Sequence, residues 1–186
     1  MVGGGTTLGR AIALALSARG VRIVVTGRDE KALGVTVGEI VHGGGKARHV
    51  AGEGRASSVL GAAIGRAKEI FGELDIVIDA ALTDVEYTFD ATSPHLSSAG
   101  RVLLVSASRS QDAMASLARA RPGGSLAKGI TCNAIVVESA MRGDEGDVTD
   151  DDLDDVASDA GELAVFLCTP AADRITGQSI ALQAGA

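Results

Sequence analysis

The feature that most constrains how this chain can fold is a repeating unit: an amphipathic helix, a glycine break, and a short run rich in β-branched apolar residues. After GGGTTLG, Leu8, Ile12, Ala15 and Leu16 recur at helical spacing and form one apolar stripe, which Gly20 ends. The next residues, VRIVV (21–25), read as a strand covered on both faces. A second helix from Asp29 carries Leu33, Val37, Ile40 and Val41, stops at Gly43, Gly44 and Gly45, and leads to a weak strand at 47–50. Ser57 is placed to cap a third helix with Leu60, Ile64, Ala67 and Phe71 on one face, and Gly72 precedes the strand LDIVI (74–78).

The rhythm lapses between Asp79 and Gly100, a polar stretch with Pro94 that predicts an irregular connection holding at most a fragment of helix. It resumes with VLLV (102–105), an alanine-rich helix over 111–120, a break at Pro122, Gly123 and Gly124, and ITCNAIVV (130–137). In the last helix Thr149 and Asp152 have capping-box spacing, and Leu153, Val156, Ala160, Leu163, Ala164 and Leu167 make the stripe. Thr176, Gly177 and the strand QSIAL (178–182) close the chain. Strands that alternate with helices need crossovers, and the crossovers cover both faces of a parallel sheet. The expected fold is α/β: a doubly wound, Rossmann-type parallel sheet in three layers, one domain over residues 1–186. With 46% hydrophobic residues but no Trp, one Tyr and three Phe, its core has to be aliphatic, and 25 Gly suit close packing of helix on sheet. Only Met1 and Val2 precede the glycines, so either the natural chain extends before Met1 or the central first strand is unusually short.

Charge and composition exclude several functions. Net charge is −7, but residues 144–159 hold nine acids and no base, which leaves the rest of the chain at +2. There is no basic stripe and few aromatics to stack bases, so no nucleic-acid partner is expected. No apolar run approaches the roughly 18 residues of a membrane span. Cys132 and Cys168 lie in apolar runs without metal or redox spacing, as in reduced thiols of a cytoplasmic protein. His42, His49 and His95 have no partner at metal or triad spacing. Asp150, Asp152 and Asp154 alternate, but Asp155 stands where a calcium loop needs Gly and Gly161 where it needs Glu. No metal site is expected; the acids suit the positive end of a helix.

The chemistry-bearing motif is at the amino end. Gly3, Gly4, Gly5 and Gly9 open the first helix, where exposed N–H groups beside the positive helix end can hold a pyrophosphate. The strand that follows ends in TGRD, where a doubly wound fold reads the adenosine ribose, and Arg28 there favours a 2′-phosphate, hence NADP(H) over NAD(H).

Taken in order, GGGTTLGRAIALALSARGVRIVVTGRDEKAL, FGELDIVIDAAL, GRVLLVSAS, KGITCNAIV and ITGQSIALQAGA resemble a short-chain dehydrogenase/reductase of the β-ketoacyl carrier-protein reductase type, over residues 2–186. The resemblance implies a cofactor-binding set of Gly3, Gly5, Thr7, Leu8, Gly9, Arg28, Asp29, Glu53 and Ala80. Within it, Thr7 replaces the family's middle glycine, Glu53 replaces an Asp, and Asp79, Ala80, Ala81 and Leu82 stand where the family has NNAG.

The resemblance carries over no catalytic residue. The family's Ser falls on Ala107, flanked by Ser106 and Ser108; the lone Tyr87 precedes the fifth strand and has Ala91 four residues on, so there is no YxxxK. Residues 83–99 are too few for the family's Asn-bearing helix, and its PG turn reads Val137, Glu138. What this implies is a shortened, degenerate member: a non-catalytic homo- or hetero-oligomeric partner of an active relative, paired through the final helix and last strand, residues 153–169 and 175–182. The alternatives are a working NADP(H)-dependent reductase of a ketoacyl or hydroxyacyl substrate, and a structural domain of a larger multidomain enzyme.

Overall fold

The computed structural model describes residues 1–52, 57–81, 85–106, 129–139 and 148–185. In chain order they form α1 (Thr7–Ala18), β1 (Ile23–Gly27), α2 (Glu30–His42), β2 (Ala47–Ala51), α3 (Ser57–Phe71), β3 (Leu74–Asp79), α4 (Val85–Thr92), β4 (Leu96–Ser106), β5 (Thr131–Ser139), α5 (Asp150–Leu167) and β6 (Ser179–Ala184), with 3-10 turns at Ser93–His95 and Pro170–Ala172. Every strand pair is parallel: β1 with β2, and β3 through β6 in sequence order. Val2 bridges Thr26 on one side and Asp79 on the other, which joins the two groups into the order β2-β1-Val2-β3-β4-β5-β6. Val2 therefore joins the sheet at its carboxyl end, its N–H donating to the Ile78 carbonyl at 2.8 Å, and Thr26 N–H donates to the Met1 carbonyl at 2.8 Å.

Helices cover both faces, as parallel strands buried on each side require. Leu8, Ile12 and Leu16 of α1, Leu33 and Ile40 of α2 and Val156, Ala160 and Leu167 of α5 pack with Val25, Ile78, Leu103 and Ile135 of the sheet. On the opposite face lie α3, through Leu60, Ala63 and Ala67, and α4, through Phe89. Burying an Ile or Leu is worth about 1.5–3 kcal/mol. Small residues bring α1 and α5 close: a Cβ on Gly161 would stand 2.9 Å from the Ala15 Cβ.

Two expectations change. The connection after β3 holds an eight-residue helix, α4, followed directly by β4 from Leu96, whereas the sequence placed that strand at 102. Polarity hid α4: its buried positions include Thr88 and Thr92, and the Thr92 hydroxyl donates to the Thr88 carbonyl at 2.7 Å, so threonines stand where an apolar stripe was sought. β1 also starts at Ile23, because Val21 N–H donates to the Leu16 carbonyl at the end of α1. The capping box at the start of α5 is present in full, with the Asp152 carboxylate accepting from Thr149 N–H at 2.8 Å and the Thr149 hydroxyl oxygen accepting from Asp152 N–H. The alanine-rich helix expected over 111–120 lies outside the described residues.

Candidate functional site

The glycine turn sits at the carboxyl edge of the sheet, where open α/β folds hold ligands. Gly3 has φ +75°, and a Cβ there would lie 2.7 Å from the Ala80 carbonyl carbon. The turn is tied down on three sides. Gly3 N–H and Gly4 N–H both donate to the Thr26 carbonyl, at 2.8 and 3.2 Å. Thr6 N–H and the Thr6 hydroxyl donate to the Gly3 carbonyl at 3.0 and 2.9 Å. From α2, the buried Thr36 hydroxyl donates to the Gly4 carbonyl at 2.8 Å.

Those bonds leave a defined set of donors. The Thr6 hydroxyl oxygen caps α1 by accepting from Gly9 N–H at 3.1 Å. Among the described residues, the N–H groups of Gly5, Thr7 and Leu8 have no acceptor. They belong to the turn and the first residues of α1, whose dipole adds a partial positive charge there. Thr7 is half-buried at the first helical position, and its branched side chain occupies space that a glycine would leave open. Gly5 is half-buried and faces Ala32 at 3.0 Å from its ideal Cβ.

At the end of β1, Arg28 is exposed with no ion-pair partner among the described residues. Asp29 beside it is the N-cap of α2, its carboxylate accepting from Ala32 N–H at 3.0 Å. Ala80 N–H donates to the Val2 carbonyl at 3.0 Å, so this residue backs directly onto the turn. Gly3, Gly5, Thr7, Leu8, Gly9, Arg28, Asp29 and Ala80 thus line one stretch of the sheet's carboxyl edge, while Glu53, Leu82, Ala107 and Ser108 lie outside the described residues.

Asp79 is fully buried, and its carboxylate accepts from the Thr88 hydroxyl at 2.7 Å and from Ala81 N–H at 3.1 Å. It pins the β3–α4 crossover from the place where the resembled family has an Asn. Burial pushes the Met1 ammonium down from 8.0 to about 6, and the Asp79 charge partly opposes that shift. The ammonium donates to the Val24 carbonyl at 2.8 Å.

The rest of the sequence-derived set is scattered. Tyr87 lies in α4, between β3 and β4. Ser106 is buried at the end of β4. His49 lies 3.8 Å from Glu30. Sequence reasoning named Glu138, at the carboxyl end of β5, only as a residue standing in place of the family's PG turn. One of its oxygens accepts from Gln183 at 2.7 Å, and the other is buried without a hydrogen-bond partner among the described residues. An acid breaking the apolar run at a strand's carboxyl end was the available signal.

The family model for short chain dehydrogenases matches residues 1–97. No curated protein matches the chain. Among solved structures, a dehydrogenase/reductase from Sinorhizobium meliloti is 22% identical, with 99% of this chain and 92% of that chain covered and a TM-score of 0.82. A hydroxysteroid dehydrogenase from Escherichia coli is 21% identical, over 100% and 94% of the two chains, with a TM-score of 0.80. A blue fluorescent protein from a metagenomic library, in complex with NADPH, is 19% identical over 99% and 95%, with a TM-score of 0.74. At these identities the likeness is one of fold.

Proposed function

This chain belongs to the short-chain dehydrogenase family, and on that premise we propose that it is a non-catalytic subunit that keeps a nucleotide-binding turn and pairs through α5 and β6 with a second copy or a catalytically complete relative. The observation that carries the reading is the placement of the only tyrosine. Tyr87 lies in α4, ahead of β4, with Ala91 four residues on, so no phenol–lysine pair is available to supply a proton beside a hydride acceptor.

The residues at the carboxyl edge fit the adenosine half of NADP(H). Gly5, Thr7 and Leu8 N–H groups would bind the pyrophosphate, and the exposed Arg28 would pair with a 2′-phosphate. When bound, the cofactor supplies a hydride from its nicotinamide. Thr7 narrows the approach and should weaken binding relative to a glycine there. The pairing surface is supported by β6, which has no strand on its outer side among the described residues, and by Phe166, 43% exposed on α5.

Glu138 favours a second reading, an active NADP(H)-dependent reductase, because its unpartnered buried oxygen could serve as the proton donor. One set of measurements separates the two. NADPH fluorescence titration should show binding that weakens in Arg28→Ala, no NADPH oxidation with β-ketoacyl substrates, and a mass above the monomer by light scattering. NADPH oxidation that disappears in Glu138→Gln establishes the second reading. A monomer that co-purifies with no reductase overturns the first.

A further inference from the structure

We propose that, on the reading that the glycine turn holds NADP(H), Glu138 makes this chain prefer the oxidised form, NADP⁺, over NADPH. The oxidised nicotinamide ring is a cation and the reduced ring is neutral, so a carboxylate on the ring's side of the site tells the two apart by charge. In an open α/β fold the two halves of a dinucleotide lie either side of the crossover point, outside the carboxyl ends of the strands. Here that point is Val2, between β1 and β3. The glycine turn and Arg28 lie on the β1 side, which leaves the carboxyl ends of β3, β4 and β5 for the nicotinamide half.

Glu138 stands at that end of β5. Val2 is level with Asp79, Asp79 with Leu104 and Leu104 with Ala134, so Glu138 is four residues further out than the level at which the turn begins. Across the sheet it is three strand spacings of roughly 4.8 Å from Val2, about 14 Å. Ser106, the last described residue of β4, is level with Val136, so Glu138 projects beyond it as well. Alternation along β5 puts the Glu138 side chain on the face of Ala134 and Val136, which pack toward Phe89 of α4.

Among the described residues, no cation answers this carboxylate. Its partner is the neutral side-chain amide of Gln183, in register with it on β6, which donates to one oxygen at 2.7 Å. The other oxygen is buried without a hydrogen-bond partner, and no Lys, Arg or His forms an ion pair with Glu138 among the described residues. A half-buried charge is screened by salt less than a surface one, so a nearby positive charge is felt more strongly. A pyridinium supplies that charge, and a dihydropyridine does not. The Gln183 bond holds the carboxylate in place without neutralising it. A glutamine at 138 could accept the same bond, so the fold gives no reason for an acid here. With no tyrosine–lysine pair to turn the cofactor over, a chain that separates the two forms responds to their ratio without changing it.

The test is isothermal titration of the full chain with adenosine 2′,5′-bisphosphate, NADP⁺ and NADPH at one salt concentration, repeated with Glu138→Gln. The bisphosphate has no nicotinamide and should bind both proteins equally. The parent should bind NADP⁺ about tenfold more tightly than NADPH, and the variant should bring the two within about twofold by weakening NADP⁺. Equal affinity of the parent for the two forms, tighter binding of NADPH, or a preference that survives in Glu138→Gln overturns the proposal. The first two results need only the parent, whatever the stability of the variant. A parent that binds the bisphosphate but neither dinucleotide also overturns it, while the nucleotide reading of the turn and Arg28 stands. A parent that binds none of the three overturns that reading and the proposal with it.

Discussion

Replacing Gly9 by alanine tests whether the turn's glycines are required by the fold itself. A Cβ on Gly9 would stand 2.1 Å from the Gly3 carbonyl oxygen, 2.9 Å from the Gly3 carbonyl carbon and 2.9 Å from the Thr6 hydroxyl. Reaching an ordinary contact near 3.5 Å means opening the turn by more than about 1 Å. The atoms in the way are mostly backbone, so no side chain can rotate aside. That opening breaks the Gly9 N–H bond to the Thr6 hydroxyl and disturbs the bonds of Thr6 to the Gly3 carbonyl. Each bond is worth about 1 kcal/mol, and overpacking adds about 1–3 kcal/mol. We expect Gly9→Ala to cost roughly 3 kcal/mol, a fall in Tm of about 6–12 °C for a chain of this size. Urea denaturation of the protein without nucleotide measures it. Gly38→Ala is the control: Gly38 lies inside α2 with nothing within 4 Å of an added Cβ, so the exchange should add about 0.5–1 kcal/mol through helix propensity. A Gly9→Ala protein within about 0.5 kcal/mol of the parent would refute the packing argument.

Two further outcomes follow from the same structure. Phe166→Glu places a charge on the exposed face of α5 and should shift the light-scattering mass toward the monomer while moving Tm by less than about 2 °C, since Phe166 is 43% exposed. Burial pushes the Cys168 thiol up to about 12 against the opposing pull of Arg101, and Cys132 is buried, so neither should react with a thiol-specific disulfide at pH 8 until the protein unfolds; fast labelling of the native protein would count against the packing at the end of α5.

What the sequence made legible was what depends on periodicity and caps. The stripes of α1 and α3 and the Thr149–Asp152 box recur in the structure because short-range geometry alone sets them, and that of α2 recurs in part: Leu33 and Ile40 are buried, with Thr36 beside them, while Val41 is 51% exposed. α4 escaped because its buried face carries Thr88 and Thr92, whose hydroxyls are satisfied by the Asp79 carboxylate and a helix carbonyl. The central place of Met1 and Val2 was legible from the fold class, but not their partners: two residues show no period, and the Val2 bridges depend on Thr26 and Asp79, which are distant in sequence. In the same way, Arg101 is a buried cation whose partner is Asp173, and Asn133 holds the Ile175 carbonyl and Gln178 N–H at 2.8 and 3.1 Å; neither partner lies within local reach of a sequence pattern.

The glycine motif therefore means less, and Arg28 more, than a reading of the sequence suggests. Gly3, Gly4 and Gly9 are each blocked by atoms under 3.0 Å from an added Cβ: the Ala80 backbone, the Val25 side chain and the Gly3 carbonyl. A chain that never met a nucleotide would still need glycine at these positions to fold this turn between β1, β3 and α1. Arg28 is different, because it is exposed and joins no ion pair among the described residues, so the fold gives no reason for a cation there. If the turn serves only the fold, Arg28→Ala should leave NADPH fluorescence titrations as flat as those of the parent. If it holds a 2′-phosphate, removing the guanidinium should weaken NADPH by about tenfold or more, leave NADH unchanged, and leave Tm within about 1 °C. Gly9→Ala cannot separate these cases, since it would disable binding by unfolding the turn.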